Sequence, residues 1–357
     1  MKIVIFGLAV SSSWGNGHAA LWRGLIAALL QDGHSVAFFE RDVPYYAENR
    51  DLQSLPDGGS LILYRDWAEA LPAARRAVRD ADAAIVTSYC PDGRAAAALV
   101  QDGRALRCFY DLDTPVTLAR HAAGETPDYL PTEGLGGFDL ELSYTGGQAL
   151  PALRDRLGAR RVLPFYGWVD PAVHRPAPPQ PQYAAALSYL GTYAEDRQAS
   201  LECLFVEPAR QRPGERFVIG GAMYPAHFPW TDNIHFVRHL PPEEHPAFYS
   251  SSRLTLNVTR RAMAEMGWCP SGRLFEAASC GVPILSDDWP GLAEFFEPGH
   301  EILVAGGTDE ALAAMALPDA ALAQIAHRAR ARTLSEHTAA HRARQLIAAF
   351  EAATQEA

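Results

Sequence analysis

Short apolar runs alternate with helical patterns along this chain, and the alternation stops at a proline-rich break and then starts again. Lys2–Leu8 is almost wholly apolar, as a strand covered on both faces of a parallel sheet must be. A turn-forming loop over Ser11–Gly17 follows, and Ala19–Gln31 carries a helical apolar pattern that ends at Gly33. Further strands are predicted at Ser35–Glu40, Ala83–Thr87, Leu106–Tyr110, Leu140–Tyr144 and Arg161–Phe165. Helical patterns at Asp66–Arg79, Arg94–Gln101 and around Leu150–Leu157 separate them. Strand–helix alternation implies a parallel sheet with helices on both faces.

The break at Asp170–Gln182, DPAVHRPAPPQPQ, holds five prolines and reads as a stiff linker, since proline suits neither a helix interior nor a central strand. After it, Ala185–Leu190, Arg216–Ile219, Ile234–Val237, Leu254–Val258, Pro283–Ser286 and Glu301–Val304 are strand-like. The tail from Thr338 to Ala353 places Ala339, Ala343, Leu346, Ile347 and Phe350 on one helical face. The predicted organisation is an α/β domain over 1–169, a linker over 170–183, a second α/β domain over 184–335 and a C-terminal helix within 336–357. In doubly wound sheets of this kind, ligands sit at the carboxyl ends of the strands.

Composition agrees with two domains. The 357 residues exceed what one hydrophobic core organises, and 48% of them are apolar. With 31 basic and 42 acidic side chains the net charge is −11, which disfavours nucleic-acid and anionic-membrane partners. No stretch approaches the length of a membrane span. The five cysteines, Cys90, Cys108, Cys203, Cys269 and Cys280, show no metal-binding spacing and read as thiols of a reducing cytoplasm.

Three segments carry chemistry. The loop SSSWGNGH, Ser11–His18, lies between the first strand and the first helix, where Gly15 and Gly17 let a ligand approach the backbone. Gly15 to Ala20 also loosely fits a G-x-G-x-x-A dinucleotide fingerprint, with Glu40 about 20 residues on. The first glycine comes seven residues after Leu8, however, which is too late for the tight turn that motif needs. His18 at the loop's mouth is a candidate proton acceptor, or else a helix-start residue that caps and packs. FYDLDTP, Phe109–Pro115, ends a strand and puts Asp113 at its carboxyl end, though Asp-Thr-Pro is also ordinary turn chemistry. Finally, in PSGRLFEAASCGVPILSD, Ser271 and Gly272 open a helix whose free amides, with Arg273, suit a diphosphate. Glu276 lies one turn further, in reach of ribose hydroxyls.

The stretch EAASCGVPILSD resembles the donor-site signature of family-four-type GT-B glycosyltransferases. The wider set SSWGNGHA, FYDLDTP, LSYLGTYAEDRQ, HPAFYSSSRLTLNVTR, PSGRLFEAASCG and FFEPGHEIL is similar to the bacterial CgeB-like glycosyltransferases and spans nearly the whole chain. The resemblance implies two facing Rossmann-like domains, a C-terminal helix crossing back onto the first, and a nucleotide-sugar donor, most often a UDP-sugar. It also implies an acceptor of small-molecule, glycan or other kind, retention at the transferred sugar, and no required metal or cofactor. On this reading the donor site is Gly15, Gly17, Gly191, Arg197, Arg260, Ser271, Gly272 and Arg273, with Glu276 on the ribose, while His18 or Asp113 serves the acceptor. The chain departs from the family pattern at Trp268, where relatives carry a second acid that touches the transferred sugar; Glu265 is the nearest acid. Three other readings stay open: a relative that binds nucleotide-sugar without catalysis, a nucleotide-sugar epimerase, and an NAD-dependent oxidoreductase supported only by the glycine loop.

Overall fold

The structure is a computed structural model that describes residues 1–355. It holds two compact units, Met1–Tyr166 with the segment from Ala339 onward, and Gly167–Thr338.

The first unit is built on seven strands: β1 (Lys2–Gly7), β2 (Ser35–Arg41), β3 (Gly59–Tyr64), β4 (Ala83–Thr87), β5 (Leu106–Asp111), β6 (Leu140–Ser143) and β7 (Val162–Pro164). All pair in parallel, in the order β3-β2-β1-β4-β5-β6-β7. The order reverses between β1 and β4, the place where such sheets open a crevice at their carboxyl ends. Phe6 of β1 pairs with Val86 of β4, so the loops that follow these strands emerge side by side. The interior is aromatic: Phe6 stacks on Phe39 at 4.9 Å, and Trp22 meets Phe38 and Tyr110 edge-on.

The helix Gly17–Gln31 starts before the apolar pattern does because Asn16 caps it, its side chain accepting from the His18 backbone N–H at 3.2 Å. Two elements of this unit had no clear sequence signal. Strand β3, GSLILY, is an edge strand with a mostly half-buried pattern, so it lacks the continuous apolar run of its neighbours. The helix Thr114–Ala122 opens with Pro115 in its first turn, a position where proline suits a helix start. The C-terminal helix Ala339–Gln355 belongs to the same unit, burying Ala343, Leu346 and Phe350. Its Arg342 Nε donates to the Tyr166 carbonyl at 3.0 Å, and Gln345 Nε2 donates to that of Pro164 at 3.2 Å.

The second unit is a six-stranded parallel sheet: β8 (Leu187–Leu190), β9 (Phe217–Gly221), β10 (Ile234–Arg238), β11 (Thr255–Asn257), β12 (Ile284–Ser286) and β13 (Leu303–Val304). Its order is β10-β9-β8-β11-β12-β13, again reversing beside its first strand. Leu187, Phe205, Phe217, Ile219, Leu256 and Leu285 form the middle of its core. The proline-rich segment is fastened to this unit. The Ala177 and Gln180 N–H groups donate to Ser250 and Ser251 Oγ at 3.0 and 2.8 Å, and Ser279 Oγ donates to the His174 carbonyl at 2.5 Å. The five cysteines are free thiols, and no described helix is long and apolar enough to cross a membrane.

Candidate active-site groups on the two units

On the second unit, the carboxyl end of β8 and the start of the helix Gly272–Cys280 build a cationic site. Ser271 caps the helix, and Arg273 in its first turn reaches over to the sheet. The Arg273 Nε donates to the Leu190 carbonyl, and Nη1 donates to Asn257 Oδ1 at 3.0 Å. Its guanidinium carbon lies 5.0 Å from the centre of the Tyr189 ring. Gly191 is required by this arrangement: a Cβ there would meet Arg273 Nη2 at 2.7 Å and Tyr189 Oη at 2.8 Å. Arg197 donates through Nη1 to the Thr192 carbonyl at 3.1 Å, while its buried Nε has no partner. Burial, with Arg273 and Arg260 close by, pulls the Arg197 pKa down. Arg260 is held by Asp196 at 3.1 Å. Arg197 thus feels both other guanidiniums, and positive charge beside a capped helix N-terminus is an arrangement that suits an anion.

Glu276 follows one turn along the same helix, with 16% of its side chain exposed. Burial alone would push its carboxyl up, but His174, His245 and Arg273 hold it at about 2, so it is a carboxylate at any physiological pH. His174 Nε2 and His245 Nδ1 lie 3.9 and 3.7 Å from its Oε2. These three side chains are the one His/Cys/Asp/Glu group among the described residues whose ligating atoms, all within 4.8 Å of one another, could take a metal ion.

Trp268, at the position where the resemblance led one to expect a second acid, is packed and hydrogen-bonded within the second unit. Its backbone sits at φ +45°, its N–H donates to the Pro290 carbonyl at 2.7 Å, and its indole Nε1 donates to Glu294 Oε1 at 2.6 Å. Gly291 makes room for the ring, since a Cβ there would fall 2.6 Å from three indole carbons. Glu265 is exposed.

Gly15, Gly17, His18 and Asp113 belong to the other unit. Gly15 adopts φ +60°, and Gly17 opens the first helix with nothing within 4 Å of where a Cβ would stand. The loop before them is pinned by Glu40, a fully buried carboxyl group. It accepts from the Val10 and Ser11 N–H groups at 2.7 and 2.9 Å and from Ser11 Oγ at 2.5 Å. Glu40 is therefore committed to the loop backbone and has no oxygen aimed at a ribose, which removes the acid that a dinucleotide fingerprint would need.

His18 Nδ1 is buried without a partner, and burial lowers the imidazole pKa to about 4, so the ring is neutral at pH 7 and able to accept a proton. The His18 ring centre is 6.0 Å from that of Tyr89, whose hydroxyl donates to Asp113 Oδ2 at 2.6 Å. Tyr89 sits in the loop after β4 at φ +63°. The sequence carries no signal for it, because neither the backbone strain nor the pairing with Asp113 is visible in TSYC. Asp111, at the end of β5, is pushed up to about 6 by burial and accepts from the Asp113 N–H at 3.0 Å.

Comparison with known proteins places this geometry. Residues 197–348 match the family model described as glycosyl transferase-like. No curated protein matches the chain in sequence. Among solved structures, sucrose-phosphate synthase from Thermosynechococcus elongatus is similar at TM-score 0.73 and 14% identity, covering 100% of both chains. HepE from Anabaena, solved with UDP-glucose, is similar at TM-score 0.65 and 12% identity over 99% of this chain and 100% of its own. A UDP-forming α,α-trehalose-phosphate synthase from Burkholderia xenovorans, with glucose-6-phosphate, is similar at TM-score 0.64 and 13% identity over 98% and 99%. The full-length likeness gives the GT-B architecture, and the segment 197–348 carries the match to the glycosyl transferase-like family model.

Proposed function

We propose that the chain transfers a sugar from a UDP-sugar to a hydroxyl-bearing acceptor, with the second unit holding the donor and the first serving the acceptor. The observation that carries this reading is that Arg273, packed against Gly191 in the first turn of a capped helix, and Arg260 both lie near Arg197. In the reaction the bond between the anomeric carbon and the β-phosphate oxygen breaks, and a bond to the acceptor oxygen forms. Negative charge grows on the departing diphosphate, where fixed guanidiniums and helix amides stabilise it without a metal. Glu276 accepts hydrogen bonds from the ribose hydroxyls. His18, neutral at pH 7, takes the acceptor's proton, and Asp113 orients the acceptor hydroxyl with Tyr89 fixing its carboxylate. Retention at the anomeric carbon is part of the reading through the family resemblance, and the anomer of the product tests it.

Calorimetry with UDP, GDP, dTDP, ADP and NADH tests the donor site. UDP is expected to bind, and to lose affinity in Arg273→Ala and Glu276→Ala. Equal affinity in both variants would remove the site, and binding of NADH alone would overturn the transferase reading. A second reading, binding of nucleotide-sugar without turnover, is favoured by Trp268, whose indole is locked to Glu294 where relatives carry a sugar-contacting acid. UDP binding with neither transfer nor donor hydrolysis supports it.

A further inference from the structure

The donor side holds two imidazoles, His174 buried and His245 half-buried, that the mechanism above does not use. His174 is 4% exposed and neither of its ring nitrogens has a hydrogen-bond partner; His245 Nδ1 is likewise buried and unpartnered. Buried polar atoms are normally satisfied, so such a pair calls for an explanation. Both rings address one atom, Glu276 Oε2, from 3.9 and 3.7 Å, with their centres 5.7 Å apart.

We propose that His174 and His245 are positioning residues for Glu276: together they hold one carboxylate oxygen from behind and leave the other turned to the ribose hydroxyls of the donor. The proposal rests on the reading of Glu276 as the ribose-binding acid.

The surrounding bonds fit such a role. The His174 N–H donates to the Asp170 carbonyl at 2.9 Å, and the His174 carbonyl accepts from Ser279 Oγ at 2.5 Å. Ser279 lies on the same helix as Glu276, and its own carbonyl accepts from Arg330 Nε at 3.0 Å. The His174 backbone is thereby tied to the helix whose carboxylate the imidazole faces. His245 starts the helix His245–Ser250, and its Nε2 lies 3.3 Å from the Leu240 carbonyl, which fixes the ring plane. On its other side Glu276 is near Arg273; Tyr249 and Cys280, whose burial keeps them neutral, complete its titratable surroundings. The closest approach of both imidazoles is to Oε2, and on this proposal Oε1 is the oxygen left for the ligand. A carboxylate so held offers that oxygen to a vicinal diol without first having to be ordered, and hydrogen bonds to a charged acceptor are the strong kind.

The test is the ratio of affinities for UDP and 2′-deoxy-UDP, read by calorimetry with thermal unfolding in parallel. Wild type is expected to prefer UDP by about ten-fold or more, the worth of a hydrogen bond to a charged group. His174→Leu and His245→Leu are expected to bring the ratio toward one while binding of 2′-deoxy-UDP changes by less than about two-fold. His174→Gln and His245→Asn place an amide N–H near the lost imidazole nitrogen and are expected to keep the ratio. Equal weakening of both nucleotides in the leucine variants, or an unchanged ratio, overturns the proposal. Should the leucine variants fail to fold, the amide pair decides, and collapse of the ratio there overturns it. Glu276→Ala separates the two levels. If it keeps the ratio, the ribose reading itself fails; if it loses the ratio while the histidine variants keep theirs, only the positioning role fails. One equivalent of zinc in the purified protein, with the ratio lost on adding EDTA, would make the imidazoles metal ligands and overturn it too. So would failure of wild type to bind either nucleotide.

Discussion

A single methyl group added at Gly191 probes the donor site most sharply. The new Cβ would lie 2.7 Å from Arg273 Nη2 and 2.8 Å from Tyr189 Oη. Ordinary contact needs about 3.5 Å, so the guanidinium must retreat by roughly 0.8 Å. Arg273 is anchored to the Leu190 carbonyl and to Asn257 Oδ1, so a shift of the guanidinium loads those bonds. Loosening one hydrogen bond from a charged donor costs about 1.5–3 kcal/mol. Gly191→Ala is thus expected to lower the melting temperature by roughly 3–12 °C for a unit of this size, and to weaken UDP binding by about ten-fold or more. Gly214→Ala is the matched control, since nothing lies within 4 Å of a Cβ there. Differential scanning calorimetry and titration calorimetry read both effects. If Gly191→Ala binds UDP within about two-fold of wild type and melts with it, Arg273 is not a fixed part of the donor site.

Three further outcomes follow from the first unit. The His18 imidazole has a folded pKa of about 4 against 6.5 unfolded, so its contribution to stability is complete above pH 6.5 and lost as the pH falls toward 4. The loss is about 3 kcal/mol at most, and denaturant titrations across this window should show it in wild type and not in His18→Asn, which should also turn over about 100-fold more slowly with UDP affinity unchanged. Glu40→Ala leaves the buried Val10 and Ser11 N–H groups without an acceptor and should cost about 3 kcal/mol by urea unfolding; a change below about 1 kcal/mol would mean the loop is not held as described. Tyr89→Phe removes the 2.6 Å bond to Asp113 and should slow transfer while sparing UDP binding; an unaltered rate would exclude Tyr89 from acceptor handling.

The legible parts of this chain were those with local cause. Lys2–Leu8 announces a central strand because both faces of β1 are covered, and Ser271 and Gly272 announce a capped helix start because cap and first turn are adjacent in sequence. Strand β3 was silent, since an edge strand needs no continuous apolar run. Glu40 has the spacing of a dinucleotide fingerprint's acid, but the glycine before it comes too late for that motif, and the fold spends both Glu40 oxygens on the loop after β1. Tyr89 and Asp113 meet only because β4 and β5 are neighbours. His174 lay inside a proline-rich stretch that reads as linker, and His245 heads a short helix; nothing in either segment points to Glu276. Partnerships across the sheet are set by packing, and a lone histidine carries no record of its partner.

The central claim is that the second unit's arginines and Glu276 hold a nucleoside diphosphate. Titration of UDP into wild type and into Arg273→Ala tests it most directly. The account predicts one site per chain in wild type and a loss of about ten-fold or more in the variant, the worth of a charged hydrogen bond to phosphate. Equal binding by the two proteins, or no binding of UDP or any other nucleoside diphosphate by wild type, would contradict it.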